Sequence, residues 1–179
     1  VPYYAWNNRS PGSMTIWFPT TPELAVFDPH QLPKESIFSD IKASHTSDLD
    51  TVSAIGDGKE PRWSSGKDVP RWTSRPQLGT RQWVEASFPE IKEVRDIGVY
   101  WMQDQQDVKF PKEWSLEVRK NGKWQAFELY VTDRYDNRAN QYNVVHPASP
   151  LTCDGIRINM TPQENSAVGI LEVKVAFEK

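Results

Sequence analysis

The triplet Pro-Arg-Trp occurs twice within a short stretch of this chain, at residues 61–63 and 70–72. Proline restricts the backbone at each copy, and arginine beside an indole offers a flat face together with a fork of hydrogen-bond donors. Such a surface could hold a planar, polyhydroxylated group such as a sugar ring. The same two tryptophans could instead close the ends of a β-sandwich, and both interpretations stay open at this point.

Residue types that support catalysis are scattered along the chain. The three histidines, His30, His45 and His146, lie far apart and match no zinc-binding spacing. Neither a nucleophile-elbow motif nor a phosphate-binding glycine loop is present. Glycosidases need two carboxyl groups that face each other across a cleft. Asp104 and Asp107 could be arranged in that way, but acidic loop residues are more often simply solvated, so we predict that this chain is not itself an enzyme.

Length and composition favour one β-rich domain. The chain has 179 residues, a net charge of −3 and no apolar run long enough for a membrane span, which argues against nucleic-acid and membrane partners. Eight tryptophans and an aromatic content of 12% fit an all-β fold. Cys153 is the single cysteine, so no internal disulfide can form, and we expect a buried, unreactive thiol.

Apolar and polar residues alternate with a period of two over residues 97–102, 114–119, 156–161 and 171–178, which predicts antiparallel strands with one buried face. The Asn-Gly pair at 121–122 predicts a tight hairpin that leads into a strand over residues 124–131. Short strands separated by turns indicate a β-sandwich or barrel.

The N-terminal part of the chain has a different character. Residues 1–18 are predicted to form a strand-turn-strand unit that resembles the terminal hairpin of a preceding β-domain. Residues 19–42 contain four prolines and no long apolar run, which indicates a linker or a packed irregular arm. Within this arm, residues 33–41 could form a short helix. The β-sandwich is predicted to occupy residues 43–179.

A series of weak motifs follows in order along the predicted sandwich. They are Ala43-Ser44, Ala54-Ile55-Gly56-Asp57-Gly58, Arg62-Trp63-Ser64-Ser65, Trp83–Phe88, Val94–Trp101, Phe110–Trp114, Ile156–Ile158 and Gly169–Val173. Together they resemble the F5/8 type C (discoidin) domain, the galactose-binding-like jelly roll that family 32 carbohydrate-binding modules also use. The resemblance implies an all-β fold, a discoidin-like jelly-roll β-sandwich preceded by the N-terminal hairpin and the irregular arm.

Residues 3–14 carry a second resemblance. The stretch from Tyr3 to Met14 is similar to the end of the β-domain behind the catalytic barrel of β-L-arabinofuranosidase-like glycoside hydrolases of family 127, some of which continue into a discoidin-like module. This implies a C-terminal fragment of such an enzyme, with the catalytic domain as its partner in cis. It also implies an extracytoplasmic location (periplasmic, cell-surface or secreted) and a plant-type polysaccharide or oligosaccharide as ligand.

The resemblance also implies a structural calcium ion. Family 32-like modules often hold calcium between an Asp-Gly turn and a glutamate of the last strand, and the matching residues are Asp57 and Glu172. Glu172 is expected on the polar face of its strand, where its carboxylate is free to bind a cation. Pro61 offers no side-chain oxygen where the family commonly has threonine or serine. An equally open interpretation is that Asp57 only forms the turn and Glu172 pairs with a nearby Arg or Lys.

Sugar binding requires an exposed aromatic platform with charged or amide side chains beside it, and loops at one end of the sandwich are the expected place. The candidate residues, all in predicted loops, are Trp72, Arg75, Asp104, Asp107, Arg134, Tyr135 and Asn165. Trp63 is expected to pack beneath the Asp-Gly turn. The tryptophans in predicted strands, expected in the core or on a sheet face, are Trp83, Trp101, Trp114 and Trp124.

These observations favour a non-catalytic accessory module of a secreted glycoside hydrolase that binds carbohydrate. One alternative is a structural module that packs against the parent catalytic domain and has no ligand of its own. Another is a discoidin-type protein-binding domain, which the lone Cys153 and the polar loops disfavour.

Overall fold

The computed structural model describes residues 27–33 and 35–178, and nearly all regular structure in this part is β. The strands are β1 (Asp40–Ala43), β2 (Trp72–Thr73), β3 (Gln82–Trp101), β4 (Glu113–Lys120), β5 (Lys123–Ala126), β6 (Tyr142–Val145), β7 (Leu151–Thr161) and β8 (Gly169–Phe177). Two short 3-10 helices, Pro29–Gln31 and Val52–Gly56, are the helical elements of the described residues. The hairpin predicted for residues 1–18 lies outside them.

Strand β3 takes part in both layers of the sandwich. Its first half, residues 82–94, lies between β7 and β1, and its second half, residues 94–101, lies between β8 and β6. All of these pairings are antiparallel, and the strand order along the sheet is β2-β8-β3-β7-β4-β5. The register shifts between Ser87 and Lys92, and such bulges bend a strand. The bend carries β3 from one layer into the other, which gives the expected jelly-roll β-sandwich.

The hairpin between β4 and β5 confirms the Asn-Gly prediction. Asn121 and Gly122 both have positive φ angles, 51° and 73°, as a two-residue hairpin turn requires. The second strand is shorter than predicted and ends at Ala126.

The described residues of the predicted arm pack against the sandwich, as one of the two interpretations expects, but the short helix is not formed. The described residues between 33 and 41 form no helix. The last two residues of this stretch belong to β1, which begins at Asp40 and pairs with β3. The start of the described chain packs on the outer side of the layer that contains β8: a Cβ on Gly98 would lie 2.7 Å from the Phe27 ring. Pro29 accepts a hydrogen bond of 3.3 Å from the ammonium of Lys174. The division into three parts stays a prediction.

The core lies between the two layers, and the predicted alternation of buried and exposed residues is confirmed in β4 and β7. In β8 every residue but the last is buried, because the arm covers its outer face. Trp101 and Trp114 meet edge to face in the core at a centroid distance of 5.1 Å. Cys153 is buried as expected, and burial raises the pKa of its thiol to about 11.

The prediction for the two triplet tryptophans is wrong, because Trp72 is buried and Trp63 is exposed. Trp72 has an exposed fraction of 0%, and its indole N–H donates to the backbone oxygen of His45 at 3.0 Å and to Thr46 Oγ1 at 3.1 Å. Its triplet leads into β2, which pairs with β8, so the indole packs into the core. Ser64, the residue after Trp63, is buried, and its N–H donates to Asn140 Oδ1 at 2.8 Å. Trp63 itself has an exposed fraction of 55%.

We predict that Trp72→Ala lowers the free energy of unfolding by about 3 to 5 kcal/mol, because it leaves a cavity in the core and removes two hydrogen bonds. Trp63→Ala should cost less than about 1 kcal/mol. Urea unfolding followed by circular dichroism measures both values. Equal costs for the two variants would contradict this assignment of core and surface.

Candidate functional site

One end of the sandwich, where β3 ends and β8 begins, is built from loops that bond to one another. We call it the loop end and define it as residues 62–66, 74–79, 102–109 and 163–168. The 102–109 loop bonds to the 163–168 loop through Ala167 N and Asp107 O at 2.8 Å. Gly79 N donates to Ser166 O at 2.8 Å and Gln103 N to Ser64 O at 2.9 Å, so all four loops are connected.

Arg75 joins two of the predicted site residues at the loop end. Its Nε donates to Asp107 Oδ1 at 2.6 Å, and its Nη2 pairs with both Asp104 and Asp107. A guanidinium that binds two carboxylates through two nitrogens holds them in a fixed arrangement. The structure therefore brings Arg75, Asp104 and Asp107 together as one half-exposed cluster.

The carboxylate of Asp104 also organises its own loop. It accepts hydrogen bonds from Gln106 N at 2.9 Å and Val108 N at 3.0 Å. Burial alone would raise the pKa of Asp104, but these N–H groups and the guanidinium of Arg75 outweigh it and hold the pKa below its usual value. Asp104 is therefore ionised at neutral pH and serves as an acceptor and a negative charge.

Asn165 and Trp63 lie in the two other loops of the loop end. Asn165 is exposed, has a φ of 53° and lies in the loop that bonds to Gly79. Trp63 immediately precedes Ser64, and Ser64 O accepts from Gln103 N, next to Asp104. The loop end therefore combines an exposed indole, a guanidinium, carboxylates and an amide. Sequence reasoning missed Trp63, although its triplet, unlike that of Trp72, is followed by Ser-Ser-Gly, which is typical of a turn.

The remaining two candidates lie elsewhere, against β4. The Tyr135 ring packs on Trp114 at a centroid distance of 4.7 Å, and its hydroxyl accepts from Leu116 N at 3.2 Å. Burial raises the pKa of the Tyr135 hydroxyl. Arg134 beside it is exposed. Tyr135 is thus held mainly by packing, and its contacts are with β4 rather than with the Arg75 cluster.

Glu172 is buried, with an exposed fraction of 2%, so the face of β8 that the sequence predicts to be polar is covered at this residue. Its Oε2 is buried without a hydrogen-bond partner among the described residues. Burial raises the pKa of Glu172 to about 9, and the negative charge of Asp57 acts in the same direction. The charge of Lys174 and a hydrogen bond from Gly58 N–H oppose this rise.

The charges around Glu172 decide whether it could help to hold a cation. Lys174, which is buried, pairs with Glu60 rather than with Glu172, and Glu60 also accepts from the Tyr142 hydroxyl at 2.9 Å. Asp57 Oδ1 accepts from Lys59 N at 2.9 Å, as in an Asp-Gly turn. An unpartnered buried carboxylate oxygen beside a second carboxylate suits a calcium ion, provided that backbone carbonyls and water complete the shell.

The described residues were also compared with what a metal cluster and a membrane-spanning helix require. Within residues 27–33 and 35–178, no three or more His, Cys, Asp or Glu side chains form a group that could hold a metal ion, so a cation would rest on few carboxylates. No helix in the described part of the chain is long and apolar enough to cross a membrane.

Comparison with known families accounts for this architecture. The chain belongs to the F5/8 type C domain family, whose model matches residues 40–173. Residues 1–19 match the model of the glycoside hydrolase family 127 C-terminal domain. No curated protein matches the chain at a significant level.

Solved structures share the jelly-roll fold at low sequence identity. A chain of the Streptococcus pneumoniae beta-galactosidase BgaA is 20% identical, with a TM-score of 0.62 over 78% of this chain and 91% of that chain. The family 32 carbohydrate-binding module of C. perfringens NanJ, solved with galactose, is 16% identical, with a TM-score of 0.58 over 78% and 93%. A pectin-binding carbohydrate-binding module is 14% identical, with a TM-score of 0.54 over 79% and 91%.

The Asp104 geometry predicts how stability depends on pH. The folded-state pKa of Asp104 lies below its ordinary value of 3.8, so its ionised form stabilises the fold above that pH, and this contribution is lost as the pH falls through the folded pKa. Asp104→Asn should cost about 1 to 3 kcal/mol of unfolding free energy at neutral pH. Denaturant unfolding at several pH values should show this difference shrinking as the pH falls from about 5 through the folded-state pKa. A difference that stays constant with pH would contradict the prediction.

Proposed function

We propose that this domain is a non-catalytic carbohydrate-binding module that holds its ligand at the loop end. The observation that carries the proposal is that the loop of the exposed Trp63 bonds, through Ser64 O and Gln103 N, to the loop that holds Asp104 and Asp107 against Arg75. The family and the fold support it, because structural neighbours were solved as carbohydrate-binding modules, one with galactose and one described as pectin-binding.

The chemistry of the loop end suits a sugar. A pyranose or furanose ring has an apolar C–H face that can stack on an indole, and hydroxyl groups around its edge that need hydrogen-bond partners. Ionised carboxylates accept strong hydrogen bonds from hydroxyls, and a guanidinium donates them. Since Arg75 already fixes the two carboxylates, they are preorganised before the ligand arrives, which lowers the entropic cost of binding.

The same geometry supports a binding role over a catalytic one. A glycosidase needs a general acid whose pKa is raised, whereas the pKa of Asp104 is lowered by its hydrogen bonds. Glu172 does have a raised pKa, but it is buried and lines a cavity of only about 10 Å³, which leaves no room for a sugar.

The proposed setting is an extracytoplasmic glycoside hydrolase, with this module attached in cis to the catalytic domain. The match of residues 1–19 to the family 127 C-terminal domain supports this setting. A plant-type polysaccharide, such as an arabinose- or galactose-containing pectic chain, is the ligand class that we propose on this basis.

Affinity gel electrophoresis against arabinan, galactan and polygalacturonan tests the loop end directly. We predict retardation of the wild-type domain by at least one of these polymers and a loss of affinity of tenfold or more in Trp63→Ala, because the stacking platform is removed. Val131→Ala, which trims another highly exposed apolar side chain on a different loop, should bind as the wild type does.

A folded wild-type domain that binds none of a broad set of plant glycans would sink the proposal. It would favour the alternative of a structural module without a ligand of its own. Unchanged affinity in Trp63→Ala would remove Trp63 from the site.

We further propose that Asp57 and Glu172 hold the structural calcium ion that the fold family suggests. The unpartnered Glu172 Oε2 beside the charge of Asp57 supports this. Calcium there would neutralise two neighbouring carboxylates and fix the Asp57-Gly58 turn against β8.

Thermal unfolding with calcium and with a chelator tests the cation. Calcium at about one hundred times its dissociation constant should stabilise the wild-type domain by about 2.7 kcal/mol. Asp57→Asn and Glu172→Gln should lose this calcium effect, whereas Asp40→Asn, an exposed carboxylate paired with Lys42, should keep it. Equal melting temperatures in calcium and in chelator would rule the site out.

A further inference from the structure

The outward face of the layer β3-β7-β4-β5 carries aromatic and charged side chains in neighbouring rows. Strand register places Glu85, Arg157 and Glu117 side by side on adjacent strands. Trp83 precedes this row on β3, and Trp124 follows it on β5, opposite Arg119. We call Trp83, Glu85, Glu117, Trp124 and Arg157, with the neighbouring Asn159, the aromatic sheet face.

The guanidinium of Arg157 fixes the centre of this face. It donates to Glu85 Oε1 at 2.8 and 2.5 Å and to Glu117 Oε2 at 3.1 Å. It also lies over the Trp124 ring, 4.3 Å from the centroid, and 5.8 Å from the centroid of Trp83. One cation therefore contacts both indoles, whose centroids lie about 10 Å apart or less, and Arg119 lies 5.5 Å from the Trp124 centroid as well.

The face has room for a ligand. A groove of about 740 Å³ borders this face and is lined by Trp83, Glu117 and Asn159, with Tyr135 also at its surface. It reaches Ala126, two residues along β5 from Trp124, whereas Trp124 and Arg157 lie outside its lining. Asn159 Nδ2 donates to Glu117 Oε2 at 2.9 Å, so polar groups of fixed orientation line the groove beside an indole. Volumes of this size are typical of sites for small organic molecules and short oligomers.

We propose that the aromatic sheet face is a second carbohydrate-binding surface, and that it takes a neutral oligosaccharide. This surface is separate from the loop end and goes beyond the site proposed there. The half-buried rings of Trp83 and Trp124 would stack on sugar C–H faces, while Glu117 and Asn159 would bond to hydroxyl groups. Because this side of the sheet is built from rigid strands, little ordering of the protein is needed on binding.

The charged side chains at the centre of this face favour a sugar over a protein as the ligand, and a neutral sugar over an acidic one. Cores of protein interfaces are depleted of charged residues, yet the centre of this face is an ionic row, which disfavours a protein partner. Within that row two carboxylates flank one guanidinium, and the nearby Arg119 is engaged with Asp154 at 2.8 Å. An acidic sugar would meet net negative charge, whereas a neutral one would not.

Nuclear magnetic resonance of the tryptophan indole N–H signals tests this proposal. The domain is titrated separately with neutral arabino-, galacto- and xylo-oligosaccharides and with oligogalacturonate, after Trp→Phe variants have assigned the signals. We expect at least one neutral oligosaccharide to shift the Trp83 and Trp124 signals, and oligogalacturonate to leave them unchanged. Trp124→Ala should weaken this binding tenfold or more while leaving titration of the Trp63 signal unaltered, and Lys123→Ala on the same hairpin serves as the matched control.

The outcomes separate the two sites. Shifts confined to Trp63 would overturn the sheet-face proposal and leave the loop end standing, whereas shifts confined to Trp83 and Trp124 would support the sheet face and count against the loop end. No shift with any sugar would overturn both. Shifts of Trp83 and Trp124 that depend on protein concentration without sugar would assign the face to self-association and overturn the proposal. Trp124→Phe keeps an aromatic ring and provides a folded comparison if Trp124→Ala does not fold.

Discussion

The bent strand β3 is the constraint on which the rest of this domain depends. Its first half pairs with β7 and its second half with β8, so the two layers of the sandwich share one continuous strand. Side chains alternate along a strand, and a slip of one residue would exchange core and surface positions in both layers. Trp83 near its start faces outward and Trp101 at its end is buried, so β3 positions both the aromatic sheet face and the base of the loop end.

Arginines organise the two proposed surfaces in the same physical way. Arg75 gathers Asp104 and Asp107 at the loop end, and Arg157 gathers Glu85 and Glu117 on the sheet face. In each place the planar guanidinium pairs with two carboxylates and keeps them in fixed positions, and on the sheet face it also lies over the Trp124 indole. Both clusters are only partly exposed, so these ion pairs hold the carboxylates in place more firmly than fully exposed pairs would.

The sequence predicts the elements of this fold better than the exposure of its loops. Period-two alternation and the Asn121-Gly122 turn correctly predict the sandwich and the β4–β5 hairpin, because these signals are local. Trp63 and Trp72 are preceded by the same residues, Pro and Arg, and the long-range pairing of β2 with β8 is what buries Trp72. The burial of Glu172 was not predictable for the same reason. Apolar and polar residues alternate along its strand, but the chain around Phe27 and Pro29 covers the outer side of that layer.

The candidate site was predictable in part. Arg75, Asp104, Asp107 and Asn165 were chosen as polar loop residues, and the structure places all four at the loop end, because loops at one end of a sandwich converge. Tyr135 was chosen on the same criterion, yet it packs against Trp114 and β4, a contact that no local pattern encodes.

A crystal structure of the domain grown with a neutral pectic oligosaccharide tests the central claim most directly. We expect a sugar ring stacked on Trp63, with its hydroxyl groups within hydrogen-bond distance of Asp107 or Asn165. A fully occupied oligosaccharide that contacts neither Trp63 nor the Arg75 cluster would contradict the assignment of the loop end as the carbohydrate-binding site.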